Sequence, residues 1–245
     1  MINCRWQEVE EGSVPSLQPS HIHLWRLDLE STAERILYLR EDLTAEEIQR
    51  ADRFIRPEHQ ARFALVRGTL RHLLGLYTGG APEALNLGEN EFGKPALSDF
   101  PSVQFNVSHT EGVALIGVNI DQPIGVDVEY RKSRVAWKKI VQRFFTPDEI
   151  EQLFALEARA GLDGFYRLWT LKEAYMKARG HGLSWGLDKF SMRGADGGDC
   201  GVDWDKNDVS APDDWLVDLV DVGGEAAGAL ATPYPDPVVK SFRCS

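Results

Sequence analysis

The sequence predicts an α+β protein built as two pseudo-symmetric α+β halves in one monomer, 1–122 and 123–245, with the active site at their junction. Strand-period and helix-period segments alternate along the chain, and each half shows a strand preceding a long helix. A six-residue segment also recurs: Arg53-Phe54-Ile55-Arg56-Pro57-Glu58 matches Arg143-Phe144-Phe145-Thr146-Pro147-Asp148 in arginine, phenylalanine, proline and acid at an offset of 90 residues. Asp121-Gln122-Pro123 lies between the two halves as a turn-forming junction.

Residues 1–20 are polar with Pro15 and Pro19 and read as an irregular arm or an edge strand. Residues 21–29 alternate apolar and polar, the period of a half-buried strand. Thr44 followed by Glu47 is a capping box, opening a helix that runs toward Pro57. Phe63, Val66, Leu70, Leu73 and Tyr77 recur at helical spacing, so 59–77 is a long amphipathic helix closed by Gly79-Gly80. Residues 103–107, 113–120 and 124–130 read as three strands joined by short turns. Thr146-Pro147-Asp148-Glu149 is a second helix start, with an N-cap, a proline at N1 and acids in the first turn. A further helix spans about 164–179 and ends at Gly180. Beyond it the chain is acidic and glycine-rich, with short strands near 215–222 and 227–231.

Hydrophobic residues make up 43% of the 245 and charged residues 27%, enough to bury a core. The longest apolar stretch, 113–118, is too short to span a bilayer, and the start lacks a basic patch followed by an apolar core. A cytoplasmic protein without membrane partners is expected. Cys4, Cys200 and Cys244 are scattered without metal-ligand spacing, which argues against a disulfide framework and structural zinc. The net charge of −11 disfavours nucleic acid as a partner. Yet 50–71 holds six arginines against Asp52 and Glu58, a basic segment suited to a local anionic ligand.

The strand Ile124-Gly125-Val126-Asp127-Val128-Glu129-Tyr130 carries the most chemical information. Side chains two apart share a face, so Val126 and Val128 point to the core while Asp127 and Glu129 point together the other way. Two converging carboxylates repel unless a cation lies between them, so this is either a solvent-facing acidic strand or a site for a hard ion, which oxygen ligands suit. In Trp169-Thr170-Leu171-Lys172-Glu173-Ala174-Tyr175-Met176-Lys177, Glu173 and Lys177 are neighbours on one helix face. They form either a surface ion pair or a third carboxylate ligand beside a phosphate-binding lysine. Phe105-Asn106-Val107-Ser108-His109-Thr110 ends in a polar cluster that suits phosphate binding better than nucleophilic catalysis. Phe92-Gly93-Lys94-Pro95 holds a lone lysine in a rigid turn and is no P-loop.

Taken in series, Gly93-Lys94-Pro95, Phe105 to His109, Ile124 to Glu129, Arg143-Phe144-Phe145 and Trp169 to Lys177 resemble, in order and spacing, the 4′-phosphopantetheinyl transferases. The resemblance is to the surfactin-synthetase-activating (Sfp-like) group, including its cyanobacterial members, and covers residues 45 to 190. It implies a transferase that moves the phosphopantetheine arm of its substrate coenzyme A onto a serine of an apo acyl or peptidyl carrier protein.

It further implies Asp127, Glu129 and Glu173 as ligands of Mg²⁺, with Mn²⁺ as the alternative ion, and Glu173 and Asp127 as the catalytic pair. Lys177 would meet the pyrophosphate, and Lys94, Ser108 and His109 the phosphates, the 3′-phosphate among them. Arg50 falls on a lysine with which the family contacts the 3′-phosphate, and Arg62 on an arginine beside the nucleotide. A second family lysine falls on Glu47, a departure for which Arg53 could compensate. Glu149 aligns with a family acid near the metal, although its capping role accounts for it. A coenzyme A-dependent acyltransferase needs no such carboxylate set, and a non-catalytic carrier-binding module has no use for one.

Overall fold

The computed structural model describes residues 1–10, 12–90, 92–181 and 185–244. The first half runs β1 (Gln7–Glu8), β2 (His21–Asp28), α1 (Ala33–Glu41), α2 (Ala45–Asp52), α3 (Pro57–Thr78), β3 (Leu87–Glu89), β4 (Pro95–Leu97), β5 (Val103–His109) and β6 (Val113–Ile120). The second runs β7 (Gly125–Tyr130), α4 (Trp137–Phe144), α5 (Pro147–Ala155), α6 (Ala158–Ala178), β8 (Phe190–Arg193), β9 (Gly201–Asp205), α7 (Ala211–Asp214), β10 (Leu216–Val220), β11 (Ala226–Thr232) and β12 (Val238–Cys244). Among the described residues no helix is long and apolar enough to cross a membrane.

Two sheets organise these elements. The larger has the order β1-β12-β2-β6-β5 and the smaller β10-β11-β7. The last strand, β12, leaves the second half and pairs in parallel with β2, from Val238 opposite His21 to Cys244 opposite Leu27. Short-range patterning did not reveal this return, because β12 alternates weakly and its partner lies at the other end of the chain. α3 and α6 each supply the long apolar face of their half. Leu70, Leu73 and Leu74 of α3 close over Trp25, Phe105 and Ile116. Phe165, Leu168, Leu171 and Tyr175 of α6 pack with Val141, Phe145, Leu153 and Phe190. Each such fully buried side chain contributes about 1.5–3 kcal/mol. A third cluster bridges the sheets through Ile22, Leu24, Leu115, Ile124, Val126, Val128 and Leu230.

Both capping boxes form, Thr44 with Glu47 on α2 and Thr146 with Glu149 on α5. Gly79 ends α3 in the left-handed conformation (φ 73°). The expected 59–77 helix is α3, 57–78, and the expected 164–179 helix begins six residues earlier, at Ala158.

The six-residue echo does not mark the repeat: Pro57 opens the long helix α3, whereas Pro147 opens the short helix α5. The structural correspondence instead runs through the caps. Thr44 and Glu47 recur 102 positions later as Thr146 and Glu149. In each half that glutamate binds a buried base on the next helix: Glu47 takes Arg71 of α3, and Glu149 takes Lys172 of α6.

Candidate active site

β7 and α6 touch so closely that their contact depends on a glycine. A Cβ at Gly125 would collide with the backbone of Ala174 and Ala178 on α6. Across β7, a Cβ at Gly117 of β6 would meet Ile124 and Val126 side chains at 2.7 and 2.9 Å. With both positions open, β7 settles against α6, and Asp127 comes to face Lys177.

Asp127 differs from the expected open acidic face: only 3% of it is exposed. Its Oδ1 accepts from Lys177 Nζ at 2.7 Å and from Ser108 Oγ at 2.9 Å, while Oδ2 is buried with no partner. Lys177 Nζ also donates to Val126 O at 3.2 Å and Ser108 Oγ at 3.1 Å. Among the described residues no ion pair joins Lys177 to Glu173, so the surface i, i+4 pair does not form.

Glu173, half-buried on the same helix face, has one buried oxygen, Oε1, with no partner. Burial and the neighbouring Asp127 and Glu129 push its carboxyl up to about 7, with Lys177 opposing. Burial and Asp127 also raise Glu129, against the pull of Lys177, Lys132 and Trp169. Three carboxylates therefore act on one another around a single lysine. They are not drawn together at ligation spacing, and among the described residues no group of three metal-ligating side chains forms.

The other basic candidates stand on α2, α3, the end of β5 and the turn before β4. His109 is exposed at the end of β5, and desolvation, Arg62 and Lys177 hold its imidazole below the ordinary range. Arg62 on α3 is half-buried, while exposed Arg50 on α2 lies over the ring of Phe63 at 5.4 Å. Lys94 reaches in from its turn to donate to Ile124 O at 3.0 Å, and burial lowers its ammonium to about 8.

Ser108 does more than a phosphate ligand would: its hydroxyl bonds Asp127, Lys177 and the Val128 N–H at 3.3 Å. Glu47 accepts from Arg67, Arg71 and the Thr44 N–H, which makes it a structural anion. Glu149 is wholly buried, accepting from Lys172, Met192 N and Thr146 N, and so stands in the core instead of the site. Sequence reading missed Asn106 as a partner of β7; its amide oxygen accepts from Val126 N at 2.9 Å.

Known proteins match this sequence. A family model described as the 4′-phosphopantetheinyl transferase superfamily matches residues 123–221, the stretch that carries β7 and α6. The 4′-phosphopantetheinyl transferase HetI of Nostoc sp. is 38% identical over 172 residues, spanning 69% of this chain and 73% of that protein. A putative 4′-phosphopantetheinyl transferase of Synechocystis sp. is 39% identical over 149 residues, 60% of this chain and 61% of its own length. The 4′-phosphopantetheinyl transferase Sfp of Bacillus subtilis is 36% identical over 169 residues, 64% of this chain and 74% of that protein.

Proposed function

The chain belongs to the 4′-phosphopantetheinyl transferase family, and from that premise we propose how its residues move the phosphopantetheine arm of coenzyme A onto a serine of a carrier protein. The reaction leaves adenosine 3′,5′-bisphosphate. The observation that carries the reading is the β7–α6 contact, where Lys177 pairs with Asp127 and acts through its charge on Glu129 and Glu173, and two carboxylate oxygens, Asp127 Oδ2 and Glu173 Oε1, stay buried without partners.

The two halves, 1–122 and 123–245, divide the work at their junction. The first half brings Lys94, Ser108, His109, Arg50 and Arg62 for the anionic substrate; the second brings the carboxylates and Lys177. In support, β5 from one half and β7 from the other meet there through side chains.

A hard divalent cation, Mg²⁺ or Mn²⁺, fits this donor set: all candidate ligands are carboxylate oxygens, and Asp127 Oδ2 and Glu173 Oε1 lack partners. Asp127, Glu129 and Glu173 would hold it, and when bound it supplies positive charge against the pyrophosphate. Lys177 and Lys94 add fixed positive charge to the same phosphates, and Arg62, Arg50 and His109 hold the 3′-phosphate end. Glu173 would also take the proton of the incoming serine hydroxyl, at the carboxylate oxygen left free of the cation. The carrier, acyl or peptidyl, and a cytoplasmic setting complete the proposal.

The direct test is calorimetric titration of the protein with Mg²⁺, followed by coenzyme A. The wild type should bind both, and Glu173→Gln should lose most of its Mg²⁺ affinity while keeping its fold. An unchanged Mg²⁺ isotherm in that variant would remove Glu173 from the ligand set.

A further inference from the structure

Among the described residues, β7 is paired by backbone on one edge only. Residues 125–130 are laddered to β11, with Asp127 opposite Ala229 and Glu129 opposite Ala227. On the edge toward β5, side chains replace the missing strand. Asn106 Oδ1 accepts from Val126 N at 2.9 Å, Ser108 Oγ from Val128 N at 3.3 Å, and Thr110 Oγ1 from Tyr130 N at 3.0 Å. The acceptors are alternate residues, the donors are alternate residues, and each pair is separated by 20 positions. The carbonyls of that edge are met the same way, Ile124 O by Lys94 and Val126 O by Lys177.

Such a ladder fixes more than strand proximity. Backbone groups on a buried edge must be satisfied, and a main-chain partner about 4.8 Å away is the ordinary solution. Here each N–H is met by one side chain, so the register of β7 against β5 is written in three residues. A slip of one residue would turn Asp127 and Glu129 to the opposite face. Asp127 lies between the donors Val126 and Val128, and Glu129 between Val128 and Tyr130. The two ends of the carboxylate-bearing strand are held by Asn106 and Thr110.

We propose that Asn106 and Thr110 are positioning residues for the transfer, clamping the two ends of β7 so that Asp127 and Glu129 face α6 together. The proposal rests on the carboxylate site described under the proposed function. Neither residue touches substrate in this scheme; both act through backbone N–H groups.

Thr110→Val keeps the side-chain shape and removes the acceptor, whereas Thr110→Ser keeps the acceptor. Three readouts separate positioning from mere stability: amide exchange of Val126, Val128 and Tyr130 by NMR, the Mn²⁺ dissociation constant by EPR titration, and kcat against KM for coenzyme A. In Thr110→Val the Tyr130 amide should exchange faster while Val126 stays protected. Mn²⁺ affinity and kcat should each fall about tenfold with KM for coenzyme A unchanged, since one lost hydrogen bond acts on the ends of one strand. Thr110→Ser should restore all three, and Asn106→Leu should repeat the pattern at Val126.

Wild-type Mn²⁺ affinity and kcat in Thr110→Val, or an equal loss in Thr110→Ser, would overturn the proposal. A wild-type protein that neither binds Mn²⁺ nor transfers would overturn the proposed function instead. In that protein, fast exchange at all three amides would overturn the ladder as well, and slow Tyr130 exchange lost only in Thr110→Val would uphold it.

Discussion

Lys177 Nζ lies 2.7 Å from Asp127 Oδ1, so the lysine crosses from α6 to β7 instead of pairing with Glu173 one turn before it on its own helix. In this arrangement the lysine both neutralises the most buried carboxylate of the site and keeps an exposed flank from which it can meet an anion. About a quarter of its side chain is exposed (27%), against 4% for that of Asp127.

Removing that lysine leaves the buried Asp127 carboxylate without its ion-pair partner. Lys177→Ala should weaken coenzyme A binding and lower the melting temperature by a few degrees, since losing a partner of a mostly buried charge costs about 1–3 kcal/mol and each kcal/mol moves a domain of this size about 2–4 °C. Added Mg²⁺ should raise the variant's melting temperature more than the wild type's. Thermal scans with and without Mg²⁺ test this; equal shifts in the two proteins would contradict it.

Glu47 should not accept the lysine that its family position suggests. It is held by Arg67 and Arg71, the latter 3% exposed. Glu47→Lys would set three cations together and should unfold the first half or lower its stability severely, whereas Glu47→Gln should cost about 1–3 kcal/mol. Burial works against this carboxylate, and the hydrogen bonds from Arg71 and Arg67 outweigh it, so its pKa lies below the usual 4.5. Its contribution is therefore present above that pH and is lost as the solution is acidified below about 4.5. Urea unfolding at pH 7 and pH 3.5 reads both effects, and the Glu47→Gln variant should show the smaller difference between them.

Lys172, one residue before Glu173, is fully buried on Glu149 and Phe190 O, with its ammonium 4.4 Å from the Phe190 ring centre. Lys172→Met strands the Glu149 carboxylate and should cost about 3–5 kcal/mol. Lys172→Met combined with Glu149→Gln should recover part of that loss, because no buried charge is left alone. A double-mutant cycle by chemical unfolding gives the coupling; simple additivity would show that the pair contributes nothing.

Lys94 gives a pH signature. Its ammonium titrates near 8, lowered by burial from 10.5. A protonated amine attracts phosphate, so KM for coenzyme A should rise as pH climbs through about 8. Folding stability moves the other way: the charged form is penalised in the folded state, so stability rises between about pH 8 and 10.5. Lys94→Arg keeps its charge throughout and should flatten the KM profile. An unchanged profile in Lys94→Arg would release this side chain from the substrate.

Much of this site was legible in the residues themselves. Alternation marked β7 and put Asp127 and Glu129 on one face, and helical spacing put Glu173 with Lys177. What stayed hidden depends on contacts between distant segments. Asp127 is buried because Gly125 admits the α6 backbone, which no period in β7 reveals. Asn106 and Thr110 read as polar residues at a strand end, because their partners are backbone N–H groups 20 residues away. α1 and α4 were not anticipated: α1 buries little apart from Leu39, and α4 begins at Trp137 behind Ala136, which offers no side-chain cap. In the acidic 196–225 segment the expected strand near 215–222 is β10, but the ion pairs were not legible: Asp205 and Asp208 bind Arg179 at the end of α6, and Asp218 binds the N-terminal amine.

The most direct test of the central claim, that the carboxylates gathered between β7 and α6 perform the transfer, is Asp127→Asn assayed by mass spectrometry of an apo carrier protein. Asparagine keeps the shape and one acceptor oxygen for Ser108 and Lys177, so the protein should stay folded by its melting curve. With coenzyme A and Mg²⁺, the wild type should convert the carrier to its phosphopantetheinylated mass, and chelation with EDTA should stop it. Asp127→Asn should be slower by at least about 10²-fold, the scale for removing one electrostatic stabiliser of a transition state. A folded Asp127→Asn that modifies the carrier at the wild-type rate would contradict the account.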